Sequence, residues 1–248
     1  MDVSQNRVID PRAAERRRSI LLTVAAVLVL ALIAVVVIVV IVNRGSDESR
    51  TGGSDVPSVV TPDGAIRVTS APKDQTPPVI INVVEDFQCP ACGMFEKTGG
   101  PVLASYHDNP KVAIDYQTLN MLDRGSIGYS TRSANAAMCV AEATGKDGDM
   151  NKWLEYHNIL FANQPTEGGA GLSDSKLISL AKDSGIDGIT DCVEGLQFSK
   201  WIDENSKKIM SAPDFQGTPQ VKINGTVVEW QNTEDMKAKI DAAIEAAQ

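Results

Sequence analysis

A run of β-branched residues leads directly into two closely spaced cysteines. The run is Val79-Ile80-Ile81-Asn82-Val83-Val84, which has the length and composition of a buried strand. Cys89-Pro90-Ala91-Cys92 follows it, and Pro90 suits the first position of a helix that continues to Lys97. Free N–H groups and the helix dipole stabilise negative charge at such a position. The sequence therefore predicts a reactive Cys89 thiol at a strand–helix junction.

The spacing of the two cysteines favours a redox-active pair. Cys92, one turn into the helix, is expected to resolve a mixed disulfide formed at Cys89. A zinc site would need a second such pair, and the two histidines, His107 and His157, are 50 residues apart. The two cysteines could also form an inert structural disulfide, or a copper-handling pair that uses Met94. We predict redox chemistry without a metal or a cofactor.

Periodicity after this motif predicts an α/β fold with a helical insertion. Residues 111–119 alternate as a strand, which gives a β-α-β order, and helical patterns dominate residues 127–212. The four helices expected there extend to Thr144, from Met150 to Ala162, from Ser173 to Ser184 and from Asp191 to Met210. Strands at 220–223 and 226–230 around the turn at Asn224-Gly225, then a helix at 236–247, are predicted to follow.

A proline opens the first strand after the helical block, in Gly217-Thr218-Pro219. Such a proline can hold a cis peptide and leave nearby backbone groups free to pair with an extended substrate. An ordinary edge-strand proline is the alternative, and the cysteine motif favours the first interpretation. Thr218 and Pro219 are therefore predicted to lie beside the cysteines, as are Pro90 and Ala91.

The N-terminal part contains a hydrophobic run long enough to cross a membrane. Ile20 to Val42 is 23 residues long with Thr23 as its one polar side chain, and a helix of that length spans a hydrocarbon core of about 30 Å. A cleavable signal peptide is the alternative, but its apolar region is shorter, about 7 to 15 residues. Arginines cluster before the run, so the positive-inside rule predicts residues 1–19 in the cytoplasm and residues 43–248 outside it.

Composition separates a linker from an acidic domain. Residues 43–63 are rich in Gly, Ser, Thr and Asp and are predicted to be a flexible linker to a domain over residues 64–248. The formal net charge of −9 argues against a nucleic-acid binder, which needs clustered basic residues.

Two further cysteines, Cys139 and Cys192, fall within the predicted helical block. An extracytoplasmic compartment permits disulfides, so a structural bridge between them is the economical interpretation. The alternative is two buried free thiols.

The motif at Asp86-Phe87-Gln88-Cys89-Pro90-Ala91-Cys92, the helical insertion and Gly217-Thr218-Pro219 together resemble the DsbA-like branch of the thioredoxin superfamily. The anchor and the second cysteine pair resemble its membrane-anchored mycobacterial and actinobacterial members. The resemblance implies a thioredoxin fold with an inserted α-helical domain over residues 64–248, Cys89 as nucleophile, Cys92 as its partner, and Thr218-Pro219 as a cis-proline loop. It also implies reduced exported proteins as substrates and a homologue of vitamin K epoxide reductase as the membrane oxidase.

Two positions depart from that family pattern. Strongly oxidising members often have a histidine between the cysteines, and Pro90-Ala91 supplies none. Many relatives have a glutamate six residues before the first cysteine as a buried proton carrier, and Val83 stands at that position here. Glu85 can replace it only if its side chain turns inward, and the alternative is a solvated carboxylate at the strand end.

Three functions are compatible with these features. The first is an oxidase that introduces disulfides into exported proteins. The second is a reductase or isomerase of the same compartment. The third is a non-catalytic binding module in which the cysteine pair is vestigial.

Overall fold

A five-stranded mixed sheet forms the centre of the protein in the computed structural model, which describes residues 53, 55–123 and 127–247. Its strands are β1 (Ile66–Thr69), β2 (Val79–Glu85), β3 (Val112–Thr118), β4 (Gln220–Ile223) and β5 (Thr226–Val227). They lie in the order β1-β3-β2-β4-β5, with β2 parallel to β3 and the other neighbours antiparallel. The predicted α/β class is confirmed.

Strands β2 and β3 form the buried middle of the sheet. Val79, Ile81 and Val83 of β2 are all 0% exposed, which suits β-branched side chains packed on both faces. The parallel register pairs Val79 with Val112 and continues to Glu85 opposite Thr118. The carboxyl end of β2, where the cysteine motif begins, therefore lies deep in the domain.

Helices connect the strands in two groups. Between β2 and β3 lie α1 (Pro90–Thr98) and α2 (Gly100–Ala104), and after β5 comes α8 (Thr233–Ala246). The inserted block between β3 and β4 consists of α3 (Tyr129–Thr144), α4 (Asn151–Ala162), α5 (Asp174–Asp183), α6 (Thr190–Glu194) and α7 (Ser199–Met210). Helix α3 contacts the other four members of the block, and α4 contacts α1. The block therefore packs directly beside the cysteine motif.

The single helix predicted from Asp191 to Met210 is wrong, because the chain turns between α6 and α7. Leu196 has a left-handed backbone with φ of 50° and a fully buried side chain, 1% exposed. Asn135 on α3 fixes this turn: its Oδ1 accepts the Phe198 N–H at 2.9 Å, and its Nδ2 donates to the Cys192 carbonyl at 3.3 Å. Burial of Leu196 and these bonds from another helix outweigh local helical preference.

The C-terminal hairpin is shorter than predicted. Asn224 and Gly225 have φ of 49° and 80°, as a tight two-residue turn requires, but the second strand ends at Val227 instead of Trp230. Trp230 leaves the strand direction and packs on Phe95 of α1, with ring centroids 5.4 Å apart. This contact draws the chain back over the cysteine-bearing helix.

Part of the predicted linker contacts the domain. Glu142 on α3 accepts hydrogen bonds from the N–H and hydroxyl of Ser58 and from the N–H of Val59. Gln197 donates through Nε2 to Asp55 at 3.1 Å. The contacts of the domain thus begin upstream of residue 64.

The predicted transmembrane helix at residues 20–42 and the cytoplasmic segment at residues 1–19 lie outside the described residues. Within the described ranges, no helix is both long and apolar enough to span a membrane.

Candidate active site

Cys89 and Cys92 lie where β2 gives way to α1. Cys89 is the N-cap residue of α1, and Pro90 follows at the first helical position. No described side chain caps this helix, which leaves its first N–H groups available to the Cys89 sulfur. Both residues are free thiols, with Cys89 7% exposed and Cys92 0% exposed. Cys89 is therefore the sulfur that a partner can reach.

Hydrogen bonds lower the pKa of Cys89 to about 5. The largest contribution is the hydrogen bond from the Cys92 thiol, and burial of the sulfur opposes it. Thr218 and the backbone N–H groups of Cys92 and Ala91 lower the pKa further. Cys89 is thus a thiolate at neutral pH, although Pro90 and Ala91 provide no polar side chain.

The loop before β4 lies against the Cys89 sulfur. Thr218–Pro219 is a cis peptide, as the sequence predicts, and Gly217 precedes it with φ of 124°, a conformation that suits glycine. The Thr218 carbonyl oxygen is 3.5 Å from Cys89 Sγ. A groove of about 430 Å³ lined by residues 216–221 and 227–230 runs along this loop. An extended chain laid in the groove would lie beside the Cys89 sulfur.

The pKa of Cys92 is shifted in the opposite direction from that of Cys89. Its hydrogen bond to Cys89 raises its pKa above the ordinary thiol value, and so do its burial and the negative charge of Glu85. Cys92 therefore holds its proton wherever Cys89 has lost its own.

Glu85 turns inward and does not form a solvated strand end. It is 0% exposed, and its Oε1 lies 2.5 Å from Nε2 of His157, which is also 0% exposed. Burial lowers the pKa of His157, but the charge and hydrogen bond of Glu85, with the charge of Glu96, outweigh burial and raise it to about 9. His157 is therefore an imidazolium at neutral pH, and it is hydrogen-bonded to Glu85.

An aromatic shell surrounds the His157 ring. Its centroid lies 5.6 Å from that of Phe87, 4.9 Å from Tyr116, 5.1 Å from Trp153 and 5.1 Å from Phe161. These rings exclude water from the Glu85–His157 bond, which strengthens it.

Glu96 on α1 is the third ionisable member of this cluster. One ligand atom each from Glu85, Glu96 and His157 lies within 4.8 Å of the others. Burial and the charge of Glu85 raise the pKa of Glu96 to about 7, and His157 opposes them. The set offers oxygen and nitrogen atoms to a divalent cation, but a cation there would have to displace the proton shared by Glu85 and His157.

Two further residues hold the segment that leads into Cys89. Asp86 accepts from Ser130 Oγ at 2.7 Å and from the N–H groups of Gln88 and Leu122 at 2.8 and 3.0 Å. Burial nevertheless raises its pKa to about 6. Gln164, just after α4, donates through Nε2 to the carbonyls of Phe87 at 3.0 Å and Cys89 at 2.8 Å. The inserted block thereby fixes the backbone on which Cys89 is mounted.

The remaining cysteines belong to the inserted block. Cys139 of α3 and Cys192 of α6 form a disulfide with their Cα atoms 5.9 Å apart. The bridge joins two helices of the inserted block, which fits a structural role. Met94, the candidate copper ligand, is 65% exposed on α1.

Sequence reasoning missed three residues of this site: His157, Glu96 and Gln164. His157 lies on the apolar face of α4, where its neighbours Trp153, Leu160 and Phe161 are core residues. One polar residue within such a face was the available signal. Nothing local in the sequence identifies its partner 72 positions away.

Comparisons with known proteins agree with this geometry. The profile of the family described as Thioredoxin matches residues 74–242, a range that includes the cysteine motif and the cis-proline loop. Reduced DsbA from Mycobacterium tuberculosis is 32% identical with a TM-score of 0.61, covering 74% of this chain and 99% of that one. Reduced DsbG, a disulfide bond oxidoreductase of the same organism, is 33% identical with a TM-score of 0.63, covering 76% and 94%.

Curated relatives are more distant and longer. A putative protein-disulfide oxidoreductase of Rickettsia typhi is 25% identical over 168 residues, 66% of this chain and 58% of that protein. The serine/threonine-protein kinase PknE of Mycobacterium tuberculosis is 27% identical over 164 residues, 62% of this chain but 28% of the kinase. The chain thus spans less than two thirds of the length of either relative.

Proposed function

The chain belongs to the thioredoxin family, and we propose that it is a thiol–disulfide oxidoreductase of DsbA type that introduces disulfide bonds into exported proteins through Cys89 and Cys92. One observation carries the proposal. Cys89 is the more exposed of the two thiols and its pKa is lowered to about 5, whereas the pKa of the fully buried Cys92 is raised. An inert disulfide or a docking surface does not require two thiols with such different pKa values.

The reaction runs through a mixed disulfide. A substrate thiolate attacks Cys89 Sγ of the Cys89–Cys92 disulfide, and Cys92 leaves as a thiolate that takes up a proton. A second substrate thiolate then attacks the substrate sulfur of the mixed disulfide, and Cys89 leaves as a thiolate. Two electrons pass from the substrate to the cysteine pair, which becomes the dithiol.

Stabilisation of the Cys89 thiolate favours net oxidation. A low pKa makes Cys89 a good leaving group and lowers the free energy of the dithiol relative to the disulfide. The disulfide form is therefore the less stable side of the couple, and it passes its bond to a substrate. The backbone N–H groups and Thr218 lower this pKa and so substitute for the histidine that strongly oxidising members often have between the cysteines.

We further propose that the domain faces away from the cytoplasm on a helix at residues 20–42. The apolar run and its preceding arginines support this orientation. A membrane oxidase, a homologue of vitamin K epoxide reductase, would then return the dithiol to the disulfide. Reduced exported proteins are the substrates that this compartment supplies.

The test uses the oxidised full-length chain in detergent micelles and a reduced, unfolded model protein. Oxidation of the model protein is expected with the wild type and is lost in Cys89→Ser. Cys92→Ser cannot form the Cys89–Cys92 disulfide, so it should also fail to oxidise the model protein. The matched control is Cys139→Ala/Cys192→Ala, which removes the other pair and keeps the activity.

Two results would reject the oxidase. A potential near the thioredoxin value of about −270 mV would make the protein a reductase. Failure of reduced Cys89 to react with iodoacetamide would make it a binding module. Carbonate extraction of membranes tests the anchor, because a spanning helix stays in the pellet.

A further inference from the structure

We propose that Glu85, Glu96 and His157 form a binding site for a divalent transition-metal ion of the zinc class, beside the cavity between α1 and α4. The three side chains come from β2, α1 and α4. The site is separate from the redox reaction, because neither Cys89 nor Cys92 is a ligand. Its role is structural, since one ion joins the cysteine-bearing helix to the sheet and to the inserted block.

The three side chains bring one donor atom each into a small space. A carboxylate oxygen of Glu85, a carboxylate oxygen of Glu96 and a ring nitrogen of His157 all lie within 4.8 Å of one another. In a tetrahedral zinc site, ligand bonds of about 2.1 Å place the donor atoms about 3.4 Å apart. The 2.5 Å separation of Glu85 Oε1 and His157 Nε2 therefore widens by about 1 Å on binding, and Glu96 approaches by at most about 1.4 Å. These are side-chain movements that leave the backbone in place.

Two buried carboxylate oxygens of this group lack a hydrogen-bond partner among the residues that the structure describes. They are Glu85 Oε2 and Glu96 Oε1, and the Glu85 side chain is 0% exposed. Buried polar atoms without a partner are costly and uncommon in folded proteins. A cation bound between the two carboxylates compensates both oxygens, whereas the His157 ring bonds to the other Glu85 oxygen, Oε1.

Asn158 orients the His157 ring for a ligand at Nε2. Its Oδ1 lies 3.1 Å from His157 Nδ1, so the Nδ1–H donates to it and Nε2 is left towards Glu85. A metal-binding histidine characteristically donates its second ring N–H to an oxygen acceptor in this way. The neutral ring therefore presents a lone pair at Nε2, the nitrogen that faces the carboxylate.

Charge and donor type favour a zinc-class ion. Two ligating carboxylates and a neutral imidazole carry two negative charges, which one divalent ion neutralises in these dry surroundings. Without the ion, the Nε2 proton of the His157 imidazolium occupies this place. Ca²⁺ and Mg²⁺ take oxygen ligands, whereas an imidazole nitrogen suits Zn²⁺ and its neighbours in the transition series.

The cavity gives an ion access to the site. It has a volume of about 510 Å³, and its wall includes Glu96 and Asn158. Three protein donors leave the fourth position of a tetrahedral ion to water, which the cavity supplies. Lys97, His107 and Tyr116 also line the cavity, and none of them belongs to the donor set.

The experiment titrates Zn²⁺ into the oxidised full-length protein in detergent micelles at pH 8, by isothermal titration calorimetry. The Cys89–Cys92 disulfide stays closed, so neither thiolate can bind the ion. We expect one equivalent of Zn²⁺ to bind the wild type and expect far weaker binding of Ca²⁺. Co²⁺ should give the visible d–d bands of a tetrahedral site without the near-ultraviolet charge-transfer band of a cysteine ligand.

Three variants test the assignment of the donors. Glu96→Gln and His157→Gln each remove one ligand and should weaken Zn²⁺ binding by at least about 100-fold. Asn158→Ala removes the acceptor behind the ring and should weaken it by about 10- to 100-fold. His107→Gln is the matched control, because it changes the chain's other histidine, and it should bind as the wild type does.

Thermal denaturation first establishes that each metal-free variant is folded. If His157→Gln does not fold, Glu96→Gln carries the test, because it keeps the shape of a side chain at the cavity wall. Saturating Zn²⁺ should raise the Tm of the wild type and of His107→Gln, since the ion binds the native state. The Tm of Glu96→Gln should not change.

Three results would overturn the site. The first is that the oxidised wild type binds no Zn²⁺. The second is equal Zn²⁺ affinity in the wild type and Glu96→Gln, which would mean adventitious binding elsewhere. The third is equal affinity of the wild type for Ca²⁺ and Zn²⁺. None of these results bears on the oxidation of the model protein, so the site and the proposed function stand or fall separately.

Discussion

Cys89 and Cys92 are three positions apart, and the backbone gives them opposite surroundings. Cys89 caps the helix beside its free N–H groups, whereas Cys92 is fully buried one turn further along. The same hydrogen bond between the two sulfurs lowers one pKa and raises the other. The two thiols therefore have very different proton affinities, although they are only one helical turn apart.

The stability of the reduced protein should report the Cys89 thiolate. Its pKa is lowered from 9.0 to about 5 on folding, so between these values the unfolded chain binds one more proton. The stabilisation is complete above pH 9 and is lost as the pH falls through 5. The free energy of unfolding of the reduced wild type, relative to reduced Cys89→Ser, should rise by about 1.4 kcal/mol per pH unit between pH 6 and 8. Urea denaturation at several pH values measures this difference. A difference between the two proteins that does not change with pH would contradict the expectation.

Removing one member of the Glu85–His157 pair should lower the free energy of unfolding more than replacing both members with apolar side chains. Both side chains are 0% exposed, so Glu85→Leu leaves a buried imidazole without its partner and should lower the free energy of unfolding by about 3–5 kcal/mol. The double variant Glu85→Leu/His157→Phe should recover most of that loss, because an apolar pair fits the aromatic shell. Urea denaturation at pH 7 compares them, and additive losses would refute the expectation.

Some residues of the site could be predicted from the sequence and others could not, and the reason is physical. The cysteine motif and Pro219 are identified by local rules of strand, helix and turn. Glu85 ends a strand whose last three residues are all buried. The alternation of buried and exposed residues therefore does not predict on which side of the sheet its side chain lies. The partner that decides its orientation, His157, comes from the inserted block.

At the scale of elements, α1 is held against the inserted block through Gly93 and Gln164. The Gln164 side chain lies where a Cβ on Gly93 would be placed, while its Nε2 holds the carbonyls of Phe87 and Cys89. Glycine is needed here for close approach rather than for an unusual backbone angle.

This contact predicts a coupled pair of substitutions. Gly93→Ala should push Gln164 away from both carbonyls and cost about 1–3 kcal/mol of stability. Gln164→Ala alone should cost a similar amount, and the Gly93→Ala/Gln164→Ala protein should be no worse than Gln164→Ala. A double-mutant cycle by thermal denaturation checks this, and strict additivity would show that the two residues do not interact.

The order of the helices and strands could be predicted from the sequence, but the turn between α6 and α7 could not. Helix-stopping glycines marked the ends of α1, α3 and α5, because the cause of those ends is local. The turn between α6 and α7 depends on Asn135, a residue of α3 more than 50 positions earlier. A sequence window centred on Gly195 and Leu196 does not contain that residue.

At the scale of the whole molecule, Glu142 holds residues 58–59 onto the inserted block. Glu142→Ala should free this segment at a cost of about 1 kcal/mol, which corresponds to roughly 5-fold faster proteolytic cleavage within residues 55–63. Limited proteolysis of the full-length protein tests this. Glu155→Ala, which breaks an exposed ion pair with Lys152, is the control, and equal cleavage rates in both variants would refute the role of Glu142.

The two edges of the sheet are short, with four residues in β1 and two in β5. Long unpaired edges are templates on which extended chains accumulate as β-aggregates. Under the proposed function, this protein would meet that hazard whenever it binds an extended chain. Because the sheet offers such a chain so few free backbone groups, a bound chain should dissociate after the reaction instead of adding to the sheet as a further strand.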